Sequence, residues 1–270
     1  TSGTFITPIN FPNNAWIEVR LGDGTLPNCN NDALDFNMLR IGRDTLNPPV
    51  ETCAFDPGIC VEEALYQSVV SLPPRPEGYH LFYRTWARNY TLDNIISNDD
   101  PSSSTNAAGE TFNTYIPNTA LLLTNSSPVF ANFPPVYVCA SQDLNFDHSA
   151  TDADGDSLVY SLYTPYQGRP RNQASDCQGG LGNYDFFPII TNNGMAPSNI
   201  DYPNVTYLPG YDSIRALNGA IFPNDTLWLE PNGTLHGIPR IVGQYVVGVK
   251  VEEYRDGVKI GEIVRDFQFN

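Results

Sequence analysis

The stretch "GQYVVGVKVEEYRDGVKIGEIVRDFQF", residues 243–269, decides the fold class. Tyr245, Val247, Val249 and Val251 recur at alternate positions. In an extended chain successive side chains point to opposite sides, so these four share one strand face. Asp256-Gly257 then interrupts the run, and an Asp-Gly pair between two alternating segments predicts a hairpin with a tight turn of the primed type. The same alternation marks "AWIEVRL", "GYHLFYRTWARN", "TFNTYIP", "VYVCAS", "DSLVYSLY" and "DTLWLEPNGTLHG" as strands. Asp23-Gly24, Pro134-Pro135 and Asn232-Gly233 supply turns between them. Only "GICVEEALYQSVVSL" carries helix-like spacing, and its β-branched residues and Pro73-Pro74 turn that reading into a short turn leading into a strand. The expectation is an all-β chain.

Composition agrees. With 23 Pro, 21 Gly and 15 Tyr but only 16% charged residues, the profile is that of a turn-rich β protein with polar, uncharged surfaces. The net charge of −16 repels a phosphate backbone, so no nucleic-acid partner is expected, and anionic lipid is disfavoured equally. No apolar run approaches the roughly 18 residues of a membrane span, so membrane insertion is not expected. The opening "TSGTFITPINFPNNAWIEVRL" has no basic segment followed by an apolar one, as a signal peptide would. The chain reads as a segment of a larger secreted protein.

A length of 270 residues accommodates two domains. "LLLTNSSPVFANFPPVYV" holds a linker composition at Asn125-Ser126-Ser127-Pro128, which divides the chain into 1–126 and 127–270. The second unit carries a long irregular insertion, 164–226, of the size of a functional loop or interface arm. The stretch 97–111 reads as a solvated connection.

Chemistry concentrates in "FDHSATDADGDSLVYSL", residues 146–162, where Asp147, Asp152, Asp154 and Asp156 stand within ten positions. Two carboxylates about 6 Å apart repel by roughly 3 kcal/mol at an effective dielectric of 20. Such a cluster spreads into solvent, takes up protons or holds a cation. Asp152, Asp154 and Asp156 alternate around Gly155, an order resembling the first half of loop-type calcium sites. Calcium takes about 6–8 oxygens, so three aspartates are incomplete. Period two places Glu253 on the inward face of its strand at the open end, making it the expected fourth ligand, with Asp147 a further one. The ion's role would be structural. The competing reading is a set of Asx turns with no ion. The loop is not a full EF-hand, because Tyr163 occupies the twelfth position.

Five cysteines, at 29, 53, 60, 139 and 177, favour an oxidising compartment. "CAFDPGIC" closes a short loop around Pro57-Gly58, so Cys53–Cys60 is the expected bridge. Cys139 and Cys177 can pair within the second half, leaving Cys29 over, and other connectivities stay open. The three histidines, His80, His148 and His236, stand at no ligand spacing. Asp147, His148 and Ser149 cannot form a triad, because neighbours on a strand face opposite ways. No nucleophile elbow, P-loop or dinucleotide fingerprint is present, and the expectation is a non-enzymatic protein. Trp16, Trp86 and Trp228 either fill the core or line a sugar-binding face.

"SATDADGDSLVYSL" together with "NGTLHGIPRIVGQYVVGVKVEEYRDG" resembles the cadherin-like, immunoglobulin-type β-sandwiches of bacterial surface proteins. Over most of residues 55–270 the chain is similar to large gliding-motility-associated proteins of Bacteroidetes-type bacteria, exported by the type IX route. "PGICVEEALYQSVVSLP", "YHLFYRTWARNYTLDNI" and "VEEYRDGVKIGEIVRDFQFN" carry that likeness in order. The resemblance implies two sandwich domains in tandem and an extracellular, cell-surface location. It further implies a non-catalytic structural or adhesive role in a filament or large adhesin. Other copies or domains of the same protein, and cell-surface glycans, are the implied partners. A carbohydrate-binding module is the alternative, with the 164–226 insertion and exposed aromatics as its site. The lineage also implies O-glycosylation within Asp-(Ser/Thr)-apolar triplets, at Thr45, Ser213 and Thr226. Cysteines expected of relatives within Arg84–Asn89 and near Tyr163 are missing here.

Overall fold

The computed structural model describes residues 11–21, 34–46, 61–85, 88–89, 91–97, 108–118, 124–168 and 204–270. Among them the chain is nearly all-β, with one 3-10 turn at Gly219–Ile221. An antiparallel sheet of five strands comes first: β1 (Asn14–Leu21), β2 (Phe36–Leu46), β3 (Val61–Gln67), β4 (Tyr79–Thr85) and β5 (Glu110–Ile116). Their spatial order is β3-β2-β1-β4-β5. Two short strands, β6 (Val129–Phe130) and β8 (Ala150–Thr151), pair with each other. Strands β7 (Leu144–Asp147), β10 (Trp228–Leu229) and β11 (Thr234–Gly237) form a sheet in the order β10-β11-β7. The last sheet runs β13-β12-β9, from β9 (Ser157–Tyr163), β12 (Tyr245–Arg255) and β13 (Val258–Phe269).

The β12–β13 hairpin forms as the alternation requires. Arg255 opposes Val258 across a two-residue turn, and both turn residues have positive φ, 52° at Asp256 and 76° at Gly257. Tyr245 and Val247 are buried with Phe269, and Leu144 and Leu235 from the other three-stranded sheet join the same cluster. Burying each aliphatic side chain contributes about 1.5–3 kcal/mol. A second cluster joins Leu92, Ile95 and Ala108 to Val205 and Val246.

The described part of the 164–226 stretch belongs to this core, not to an arm. Ala216 and Leu217 are buried, and two buried asparagines satisfy the irregular backbone around them. Asn94 donates to the carbonyls of Ala216 and Val246, and Asn218 to those of Asp225 and Ile238. The described end of the 97–111 connection is likewise buried at Ala108 and Thr111, because Gly168 N donates to Ala108 O and Thr111 bridges to Tyr166.

Two strand expectations change. "VYVCAS" is not a ladder strand: Val136 and Val138 exchange backbone hydrogen bonds with Asn270, but the chain then turns through Gln142 N to Cys139 O and a positive φ of 63° at Ser141. "VEEALYQ" is a full strand, β3, paired with a β2 that the alternation alone did not single out.

His148 is fully buried beside Phe130, Phe146 and Phe267, with ring centroids 5.1–5.3 Å away. Neither ring nitrogen has a hydrogen-bond partner among the described residues. Burial, reinforced by the Arg265 charge and only partly opposed by Asp147, pushes its pKa down to about 3. The unfolded chain therefore takes up a proton below about pH 6.5 that the folded chain refuses, and stability falls as pH drops through that window. By pH 5 the loss from this residue reaches about 2 kcal/mol. Urea unfolding at pH 7 and pH 5 should show that difference for the wild type and not for His148→Phe. Parallel pH profiles for the two proteins would remove the assignment.

Candidate metal centre

The aspartate loop enters β9 and lies against the end of β12. Asp152 Oδ1 accepts the backbone N–H groups of Asp154 and Asp156, both at 2.9 Å, which folds the loop into an Asx turn. Gly155 sits at φ 82° with open space about it, a conformation that costs a glycine little. Carboxylate oxygens of Asp152, Asp154 and Asp156 thereby come within 4.8 Å of one another. Two ligands on opposite sides of a calcium ion are about 4.8 Å apart at a metal–oxygen distance of about 2.4 Å, so the three oxygens fit one coordination sphere.

Glu253 lies next to this triad on β12, outside the set of oxygens within 4.8 Å of one another. It is 1% exposed, pairs across to Leu158 of β9 and Gly261 of β13, and hydrogen-bonds through its carboxyl to Asp156. A bulge in the β12–β13 register falls here, and a Cβ on Gly261 would lie 2.5 Å from Glu253 Oε2, so the glycine makes room for the carboxyl. Burial, together with the Asp156 hydrogen bond and the charges of Asp152 and Asp156, raises the Glu253 pKa to about 7 against an opposing hydrogen bond from Asn125. Two buried carboxylate oxygens, Asp152 Oδ2 and Glu253 Oε1, have no hydrogen-bond partner among the described residues. An orphaned buried carboxylate oxygen is costly unless a proton or a cation meets it.

Arg255 is the counter-charge that the spacing argument missed. Its Nε and NH2 grip Asp156 at 2.7 and 2.5 Å, and this contact holds the Asp156 carboxyl below the usual range. The signal was available: Arg255 stands two residues after Glu253, where period two keeps both at one strand end. The same guanidinium donates to Thr124 O and Asn125 Oδ1, and Asp154 Oδ2 accepts the Ser126 N–H at 2.6 Å. The acidic group is thus wired to the 124–126 segment.

Asp147 is not part of this group. Its carboxylate accepts from Ser149 N at 3.0 Å and Asn132 Nδ2 at 3.1 Å, an Asx turn that consumes both oxygens and lowers its pKa. Cys139 is disulfide-bonded, whereas Cys29, Cys53, Cys60 and Cys177 lie outside the described residues, and with them the expected pairings. Of the proposed glycan acceptors, Thr45 is exposed, and Ser213 and Thr226 are half-buried. Trp16 is half-buried in β1, Trp228 is 51% exposed, and Trp86 lies outside the described residues.

No protein-family model, curated protein or solved structure matches this chain.

Proposed function

We propose that the chain is a non-catalytic extracellular structural or adhesive protein, a subunit or segment of a cell-surface filament or large adhesin. Its two units, 1–126 and 127–270, are read as immunoglobulin-like, cadherin-like sandwiches in tandem, packed on each other through Leu92, Ile95 and Ala108 against Val205 and Val246. A calcium ion held by Asp152, Asp154, Asp156 and Glu253 stiffens their junction. The observation that carries this reading is the carboxylate group with two unpartnered buried oxygens, tied through Asp154 and Arg255 to the 124–126 segment. A bound divalent ion there offsets the repulsion and fixes the linker.

Assembly finds support in the five-stranded sheet. Strand β3 is terminal in its sheet, and the β2–β3 pair leaves Leu39, Ile41 and Leu65 at 63%, 56% and 56% exposure. Among the described residues the outer edge of β3 is unpaired, and the apolar side chains stand on the sheet face beside it; a terminal strand of this kind is a template for pairing with another chain. Cys139 in a disulfide agrees with an oxidising, cell-surface setting.

Electron microscopy of native surface material, and of the full chain concentrated in millimolar calcium, tests the proposal. Filaments or end-to-end strings are expected, shortened by Leu39→Lys with Leu65→Lys. Particles that stay monomeric in both preparations would overturn the assembly reading.

A further inference from the structure

The sheet β10-β11-β7 has two unlike faces. One face gives Leu229, Leu235, Leu144 and Phe146 to the core or its margin. Period two puts Trp228, Glu230, Thr234, His236 and Asn145 on the other. The cross-strand register sets Trp228, His236 and Asn145 in a single row. The Trp228 indole stacks on the His236 imidazole, with 5.0 Å between centroids and 15° between planes. Glu230 Oε1 lies 3.0 Å from His236 Nε2, at the far edge of the imidazole, without hydrogen-bond geometry. With one indole face covered in this way, Trp228 is still 51% exposed. Glu230 and Asn145 are exposed beside it.

We infer that this face binds a neutral pyranose of a glycan chain, with Trp228 as the stacking platform. A sugar ring offers a patch of C–H groups on its face and hydroxyls around its rim. It therefore fits a flat aromatic plate bordered by hydrogen-bonding side chains. Trp228 is the plate, fixed in tilt by His236. Glu230 accepts hydroxyl protons, and the Asn145 amide both donates and accepts. Charge selects within the class: Glu230 on the face and a net charge of −16 repel sulfated and uronic chains. A protein partner is a poorer fit, because a stable interface needs about 800 Å² a side around an apolar centre and this face has a single indole. The inference does not depend on the cation site, which lies on the loop entering β9.

Titration of the full chain with soluble cello-, manno-, galacto- and chito-oligosaccharides, followed by tryptophan fluorescence and calorimetry, tests it. At least one neutral series should bind with Kd on the order of 1 mM. Trp228→Ala should weaken that binding by about 10-fold or more, and Trp228→Tyr by less than about 5-fold. Both variants should keep the wild-type far-UV circular dichroism and a cooperative unfolding transition. The inference is overturned if no neutral series binds at about ten times that concentration, if Trp228→Ala binds as the wild type does, or if a sulfated chain binds best.

Discussion

Asp266→Ala should lower the unfolding free energy by about 3–5 kcal/mol, the cost of leaving a buried charge without its partner. The partner is Arg88, 178 residues away in sequence, whose NH1 and NH2 meet the two Asp266 oxygens at 2.7 and 2.5 Å. Both side chains are dry, 3% and 1% exposed. Burial pulls the Arg88 guanidinium down, but Asp266 more than offsets it, so its pKa moves upward and the group stays charged. The guanidinium also donates to the carbonyls of Gly109 and Tyr166, so one side chain joins the segments before β5, after β9 and within β13. Removing Asp266 leaves the guanidinium only Glu110, whose Oε1 lies 3.8 Å from NH1, and that carboxyl is itself pushed up to about 7 by burial and by the Asp266 charge. Removing both partners as Arg88→Met with Asp266→Leu should recover most of the loss, because two well-packed apolar groups avoid the desolvation cost altogether. Urea denaturation of the three variants reads the difference directly. A single substitution within about 1 kcal/mol of wild type would mean that the pair is hydrated in solution.

That pair shows which part of the fold local pattern cannot reach. Strands β4, β5, β9, β12 and β13 are legible because each has alternating apolar residues, and a strand that buries one face must alternate. Strand β2 is invisible to the same test, since its residues range only from half-buried to exposed and its partner β3 does little better. Asp266 falls in an alternating strand where a charge reads as a solvent position, and only tertiary packing of the Arg88 segment makes it dry. "VYVCAS" misleads in the opposite sense. Its apolar residues lean on the Asn270 backbone, and the positive φ of Ser141 ends the run before a ladder can form. The acidic site divides similarly. Asp152, Asp154 and Asp156 are set by spacing within one loop, and Glu253 follows from strand period. Asp147 belongs to the cluster in sequence only, because its own turn at Ser149 consumes its carboxylate. The exposed Trp228 lay in a readable hairpin, yet its facing side depended on a register that only the β11–β7 pairing fixes.

Millimolar calcium should raise Tm, and the size follows from mass action. An ion that binds only the folded chain stabilises it by about 2.7 kcal/mol at one hundred times its Kd. Extracellular modules bind calcium with Kd of roughly 0.1–1 mM, so about 10 mM calcium supplies about 1.4–2.7 kcal/mol. For a chain of this size the gain corresponds to a Tm rise of about 3–5 °C. Magnesium should do much less, because it dehydrates reluctantly and demands octahedral geometry that a loop plus a strand end does not supply. The variants separate an ion from a mere excess of negative charge. Asp154→Asn keeps the loop but removes one ligand charge, and Glu253→Gln keeps the shape of the carboxyl while discarding the charge that burial makes expensive. Both should abolish the calcium shift, and Glu253→Gln should be at least as stable as wild type in chelator. Arg255→Met asks a different question: it takes the guanidinium off both Asp156 oxygens, so calcium affinity should rise while stability in chelator falls. Scanning calorimetry of these four proteins in EDTA and in calcium is sufficient. If calcium leaves wild-type Tm unmoved while Arg255→Met lowers it, the guanidinium alone balances the acidic loop and the junction is held by a salt bridge with no ion.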